Sequence, residues 1–205
     1  ISCLIVSIPA HENAPLFAYL VPWENIYQKY QLFTSLFVHG VMEGFMGISF
    51  ELHLITNLVT IAFFGVFCER ILGPSKILLL TFVSAFTNIF ARLALNSFGT
   101  GISGISWAYV SLASYIFIKI YIQEKKKFFS STLSLLGLIL LSLSWLGVTV
   151  GNFMMGWHTN NFFHLTAVLT GAIFLIVWKK DIDYKLNQII VNGTNTAIFY
   201  RLTIQ

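Results

Sequence analysis

Side chains able to do acid–base or nucleophilic chemistry stand at the openings of long apolar runs. His53 and Asn57 lie in His-Leu-Ile-Thr-Asn, Ser103 in Gly101-Ile-Ser-Gly104, and His164 in Asn161-Phe-Phe-His. Polar and ionisable groups are expensive inside a membrane, so their default reading there is functional. A serine becomes a nucleophile when a base within hydrogen-bond reach takes its proton, and acyl transfer needs donors aimed at the developing oxyanion. Ser103 as nucleophile and His164 as base would fill the first two roles. His53 and Asn57 are four residues apart, hence on one helical face about a turn from each other, which suits two side chains converging on one oxygen. The Ser103 backbone N–H, at the start of a helix and unpaired by it, would be a third donor. The chemistry this pattern suggests is hydrolysis at a membrane surface.

The neighbours of these residues fit a tight helix contact. Gly99, Gly101 and Gly104 remove side chains where a loop enters a helix and where that helix must approach another closely. Ala167 and Gly171 follow His164 at helical spacing, a small-residue stripe that lets two helices nearly touch. Close contact is what a two-residue pair without a third, orienting carboxylate requires. Trp107, one turn below Ser103, is placed to face His164 and pack on its ring, although a plain core aromatic would look the same. Ser106, also preceded by Gly-Ile, is the competing nucleophile. It lacks the following Gly and, at about 100° per residue, lies off the Ser103 position. Each residue alone has a plain structural reading: a membrane-helix serine bonds back to its own helix, and His or Asn near a span end links helices. Their shared placement is what points to a site.

Composition defines the elements that must position them. With 57% hydrophobic residues, 10% charged and 20 Phe in 205 residues, the chain exceeds what a soluble domain needs, and we expect an all-α, polytopic membrane bundle. A hydrocarbon core takes roughly 20 apolar residues to cross. Runs of that order occupy about 52–72, 77–97, 102–122, 129–151 and 163–178. The opening Ile-Ser-Cys-Leu-Ile-Val-Ser-Ile-Pro is too short to span and reads as the outer end of a first span whose start is missing, which makes six. We expect a membrane domain over 1–180 and a cytoplasmic tail over 181–205.

Lys and Arg are unevenly distributed. Arg70, Lys76, Lys119, Lys125 to Lys127, Lys179, Lys180, Lys185 and Arg201 follow the second, fourth and sixth spans, and those connections should face the cytoplasm. Glu12, Glu24, Glu43 and Glu51 gather on the other side with Lys29 and Arg92. This topology puts His53, Ser103 and His164 at the extracytoplasmic ends of their helices. The net charge of +4 is then topogenic, and a nucleic-acid surface is not indicated. Cys3 and Cys68 fall toward opposite faces, too far apart for a disulfide.

With these pieces in place, the sequence resembles the rhomboid family of intramembrane serine proteases from about Val21 to Trp178. The resemblance rests on Tyr30-Gln-Leu-Phe-Thr-Ser-Leu-Phe-Val-His39, His53-x-x-x-Asn57, Gly65-x-x-x-Glu69-x-x-x-Gly73, Gly101-Ile-Ser-Gly104 and His164-x-x-Ala-x-x-x-Gly171. It implies a six-helix core, a Ser103–His164 dyad, an oxyanion hole from His53, Asn57 and the Ser103 amide, and cleavage of single-span membrane proteins near the outer surface. No metal and no organic cofactor is implied. The family usually has Trp-Arg where this chain has Tyr30-Gln31, which bears on how the outer loop is braced, and Gly where it has Ala167. Extra residues, Gly40 to Phe50, separate His39 from His53, with Met42, Phe45 and Met46 among them.

Two other classes fit the sequence less well. A catalytically inactive rhomboid-like protein would bind membrane clients, but usually lacks the serine or histidine kept here. A small transporter would be expected to show mid-span charges or broken helices in paired halves, which are not evident. The loop Asn152 to Asn161 reads either as a flexible cap whose Phe153, Met154 and Met155 would plug the site from above or as an ordinary interfacial loop.

Overall fold

Apolar runs of membrane-spanning length have no backbone partner but themselves in lipid, so they fold as helices, and the computed structural model has this form. It describes residues 8–10, 14–21, 28–39, 50–95, 101–154, 156 and 158–191, and no strand occurs among them. Helices α1 (Ala14–Leu20) and α2 (Gln31–Thr34) are short and lie before the bundle. Helix α3 (Phe50–Thr60) continues through a π turn (Ile61–Gly65) into α4 (Val66–Leu72). Next come α5 (Pro74–Ala94) and α6 (Ser103–Ser130). Helix α7 (Thr132–Ser142) passes through a second π turn (Leu143–Val148) into α8 (Thr149–Met154), and α9 (His158–Val191) closes the described chain.

Helices long and apolar enough to cross a membrane run over His53–Leu72, Pro74–Ala94, Ser103–Gln123, Thr132–Met154 and Thr159–Ile190. These are the expected runs, with the last one lengthened at both ends. The opening residues 1–7, assigned above to a first span, lie outside the described residues, as do the insertion from Gly40 through 49 and the residues after Val191. Gly73, at φ +84°, lets the chain reverse between α4 and α5, and Pro74 opens α5 where its missing N–H is not needed.

Helix α6 is the central post. Two thirds of its spanning window is buried (67%), against 17% for the α7–α8 span. Ala108, Leu112, Ala113 and Ile116 have no exposed surface. Three neighbours meet α6 through specific contacts. On α9, a Cβ added at Gly171 would lie 2.5 Å from the Ala108 carbonyl oxygen, and Ser111 Oγ donates to the Val168 carbonyl at 3.0 Å. Towards α5, the Tyr109 and Thr81 hydroxyls are 2.5 Å apart. Towards the second π turn, Trp145 Nε1 donates to Ser114 Oγ at 3.0 Å.

At the end of the bundle opposite Ser103, Lys76 pairs with Asp181. Asp183 accepts from the Tyr115 hydroxyl at 2.7 Å and pairs with Lys119 and Lys179. The expected apolar run, about 163–178, ends just before Lys179 and Lys180. The helix instead continues to Val191, with Ile182 and Leu186 buried against the core. At about 1.5 Å per residue its 34 residues reach roughly 50 Å, well beyond a hydrocarbon core of about 30 Å. It therefore crosses residue 180 without a break, held past Trp178 by the Asp181 and Asp183 ion pairs.

Candidate active site

The Ser103 end of α6 starts from a glycine turn. Gly101 adopts φ +103°, which strains any residue with a side chain, and a Cβ there would also press on the His39 ring at 3.3 Å. The Gly101 N–H donates to the Ser35 carbonyl at 2.9 Å. Arg92 of α5, itself buried, reaches the Gly101 carbonyl with Nη2 at 3.5 Å and lies 5.9 Å from the Phe163 ring centroid. The turn is thus gripped on both its amide and its carbonyl, and Ser103 follows as the first residue of α6, only partly buried. Gly104 is needed behind it, since a Cβ there would sit 2.8 Å from Asn88 Nδ2.

His164 lies in the first turns of α9, and its ring stacks on Trp107 with centroids 4.8 Å apart and planes at 24°. Trp107 is one turn from Ser103 on the same face of α6, so the stack brings His164 to the face that carries Ser103. Side chains on a helix lean toward its N-terminus, which for α9 is the Ser103 end. His164 Nδ1 is buried and has no hydrogen-bond partner among the described residues. Among the described residues the ring is held by the indole, with no carboxylate on Nδ1. Trp107 in turn meets Trp145 edge-on at 5.3 Å.

Asn57 and His53 reach the same end from α3. Asn57 is buried; its Nδ2 donates to the His53 carbonyl at 3.1 Å, and its Oδ1 accepts from Ser106 Oγ at 3.1 Å. His53 is half-buried, and its ring meets His39 edge-on at 5.2 Å. Ser103, His164, Asn57 and His53 therefore gather through Trp107, Ser106 and His39. Ala167 and Gly171 lie buried along the α6–α9 contact. Ser106 Oγ is engaged by Asn57.

Sequence reasoning missed the groups that hold the site from behind. Gln31 is buried, and its Nε2 shares two hydrogens among the carbonyls of Ala18, Tyr19 and Val21 at 3.0, 3.0 and 3.1 Å, while its Oε1 accepts the Gln28 N–H at 2.7 Å. Thr34 Oγ1 adds a bond to the Leu20 carbonyl at 2.5 Å. The Tyr30-Gln31 departure thus leaves the loop braced, with an amide gathering its carbonyls. Through Ser35 the same segment holds the Gly101 turn. Gln31→Ala strands those acceptors and should lower unfolding stability by about 1–3 kcal/mol. A loss under about 0.5 kcal/mol in thermal unfolding would mean the loop stands without it. Arg92 and Asn88 carried a readable signal, because a cation and an amide within an apolar run are worth questioning.

The expected cap differs from what is seen. Asn152 Nδ2 donates to Asn161 Oδ1 at 3.0 Å, Asn160 Nδ2 donates to Asn152 Oδ1 at 3.3 Å, and Asn161 Nδ2 donates to the Thr149 carbonyl at 3.2 Å. These amides clamp α8 to α9. Phe153 and Met154 are 68% and 75% exposed, so they are not packed into a closed plug. Met155 lies outside the described residues.

His39 sits in the loop before the first described span and has no exposed surface. Burial, with the neighbouring His53 adding to it, pushes its imidazole down from 6.5 to about 4. An unfolded chain takes up this proton as pH falls through about 6.5, while the folded chain resists until about 4, so the unfolded state binds more protons between the two. Stability is full above that window and falls as pH drops through it, by about 3 kcal/mol at the acid end. Unfolding of wild type and His39→Gln from pH 7 to pH 4 should show the wild type losing stability more steeply. Parallel profiles would remove His39 as the source.

A bundle of apolar helices with ion pairs at one end and this polar cluster at the other is a multi-pass membrane protein. The sequence model of the Rhomboid domain matches residues 27–180, and the chain belongs to the rhomboid family. No curated protein matches it. Among the described residues, no group of His, Cys, Asp and Glu is arranged to hold a metal ion.

Proposed function

We propose that the protein is an intramembrane serine endopeptidase that cleaves single-span membrane proteins near the extracytoplasmic surface. Ser103 Oγ attacks the scissile carbonyl while His164 takes its proton. The oxyanion is received by His53, Asn57 and the Ser103 N–H. His164 then protonates the leaving amine, and water hydrolyses the acyl-enzyme. The observation that carries this reading is the stacking of His164 on Trp107, one turn from Ser103 on the same helix face. Ser106 is a weaker candidate nucleophile, since its hydroxyl is donated to the Asn57 amide oxygen, which is no base.

A substrate helix hides its carbonyls in its own hydrogen bonds, so it must unwind before attack. Substrates with Gly, Pro or small residues near the cut should therefore be preferred. The Lys-rich end, with Lys76, Lys119 and Lys179, is assigned to the cytoplasm by the charge rule. The test is labelling of the detergent-purified protein with a fluorophosphonate, which reacts with an activated serine. Labelling should vanish in Ser103→Ala and His164→Ala and persist in Ser106→Ala. A folded wild type that does not label would favour a catalytically inactive, client-binding relative.

A further inference from the structure

We infer that Ser106 is a positioning residue for the oxyanion hole: its hydroxyl fixes the orientation of the Asn57 carboxamide so that an N–H, not the amide oxygen, faces the reacting carbonyl. The inference rests on the protease reading above and assigns a role to a serine that the dyad leaves unused.

The two ends of a carboxamide are nearly the same shape, and packing alone holds either orientation. Only hydrogen bonds tell them apart. Asn57 makes both that are needed: Nδ2 gives one hydrogen to the His53 carbonyl at 3.1 Å, and Oδ1 receives the Ser106 hydroxyl at 3.1 Å. A flipped amide would set its oxygen against the His53 carbonyl oxygen, which repels it. In the observed orientation the second Nδ2 hydrogen remains for a developing negative charge, and the amide oxygen is tied down on the α6 side. Ser106 and Asn57 are both buried, at 3% and 9% exposure, so water does not readily replace the serine hydroxyl.

The placement on α6 adds a geometric consequence. Ser103 and Ser106 are three residues apart on one rigid helix, so the nucleophile and the strut behind its oxyanion donor move together. Asn57 belongs to α3, 49 residues away from Ser106 in sequence. The Ser106–Asn57 bond therefore carries the registration between nucleophile and donor across two helices.

The experiment measures kcat and KM for a single-span substrate, fluorophosphonate labelling and thermal unfolding for wild type, Ser106→Ala, Ser106→Thr, Asn57→Ala and the double variant Ser106→Ala/Asn57→Ala. Ser106→Ala should lower kcat about tenfold with KM within about twofold, because the donor acts in the transition state. Ser106→Thr, which keeps the hydroxyl, should recover most of that kcat. The double variant should be no slower than Asn57→Ala alone. Unchanged kcat in Ser106→Ala beside a slow Asn57→Ala overturns the inference and leaves the protease reading intact. So do losses that multiply in the double variant, or that follow thermal stability across the series. A folded wild type that neither cleaves nor labels overturns both.

Discussion

Ser103→Ala and His164→Ala should each lower turnover of a single-span substrate by about three to six orders of magnitude, and the double variant should be no worse than either alone. The non-additivity follows from the roles: a base without its nucleophile has no proton to take, and a serine without its base is a weak alcohol. His164 is supported by stacking on Trp107 at 4.8 Å and by no hydrogen bond at Nδ1 among the described residues. On the proposed mechanism, the pair therefore has no third member among the described residues whose loss could be partly tolerated. Single-turnover cleavage in proteoliposomes is the measurement, because it separates chemistry from product release. A Ser103→Ala enzyme within about tenfold of wild type would place the nucleophile elsewhere, and losses that multiply would break the dyad into independent contributions.

Gly171→Ala should be a strongly damaging methyl at the contact between α6 and α9. Its new Cβ would lie 2.5 Å from the Ala108 carbonyl oxygen and 2.8 Å from Ser111 Cβ. Neither is the far end of a flexible chain, so the helices α6 and α9 themselves must separate. We expect a stability loss of about 2 kcal/mol and stretching of the Ser111–Val168 bond. Activity should fall about 100-fold, since His164 rides on the displaced helix and small misplacements of a catalytic group are costly. Gly151→Ala is the control, because nothing lies within 4 Å of a Cβ there, and it should unfold at the wild-type temperature. Equal unfolding temperatures for the two variants would show that the α6–α9 contact is looser than these distances state.

Much of the architecture was legible because lipid leaves an apolar segment few options. Runs long enough to cross fold as helices, and the five expected runs among the described residues coincide with the observed helices. The last helix is longer than its apolar run: Lys179 and Lys180 do not end it, and Ile182 and Leu186, buried against the core, carry it onward. Within the candidate site, what was legible was spacing within one helix, as for His53 with Asn57, Ser103 with Trp107, and Ala167 with Gly171. What joins the helices was not. The bonds from Ser106 to Asn57, from Gly101 to Ser35 and from Gln31 to its three carbonyls each link segments that no local pattern connects. The π turns at Ile61–Gly65 and Leu143–Val148 likewise follow from packing that a hydropathy pattern does not record.

The stacking of His164 on Trp107 also has a biosynthetic meaning. Chains are made from the N-terminus at about 5–20 residues per second, and His164 follows Ser103 by about 60 residues. On the proposed mechanism, a growing chain thus spends roughly 3–12 s with its nucleophile already made and its base not yet synthesised. On that mechanism the helix that brings the base is also the one whose Gly171 closes onto α6, and proteolytic competence would arrive with the last described span. A ribosome-bound or truncated chain ending before α9 would then be unable to cut its neighbours while insertion is still under way.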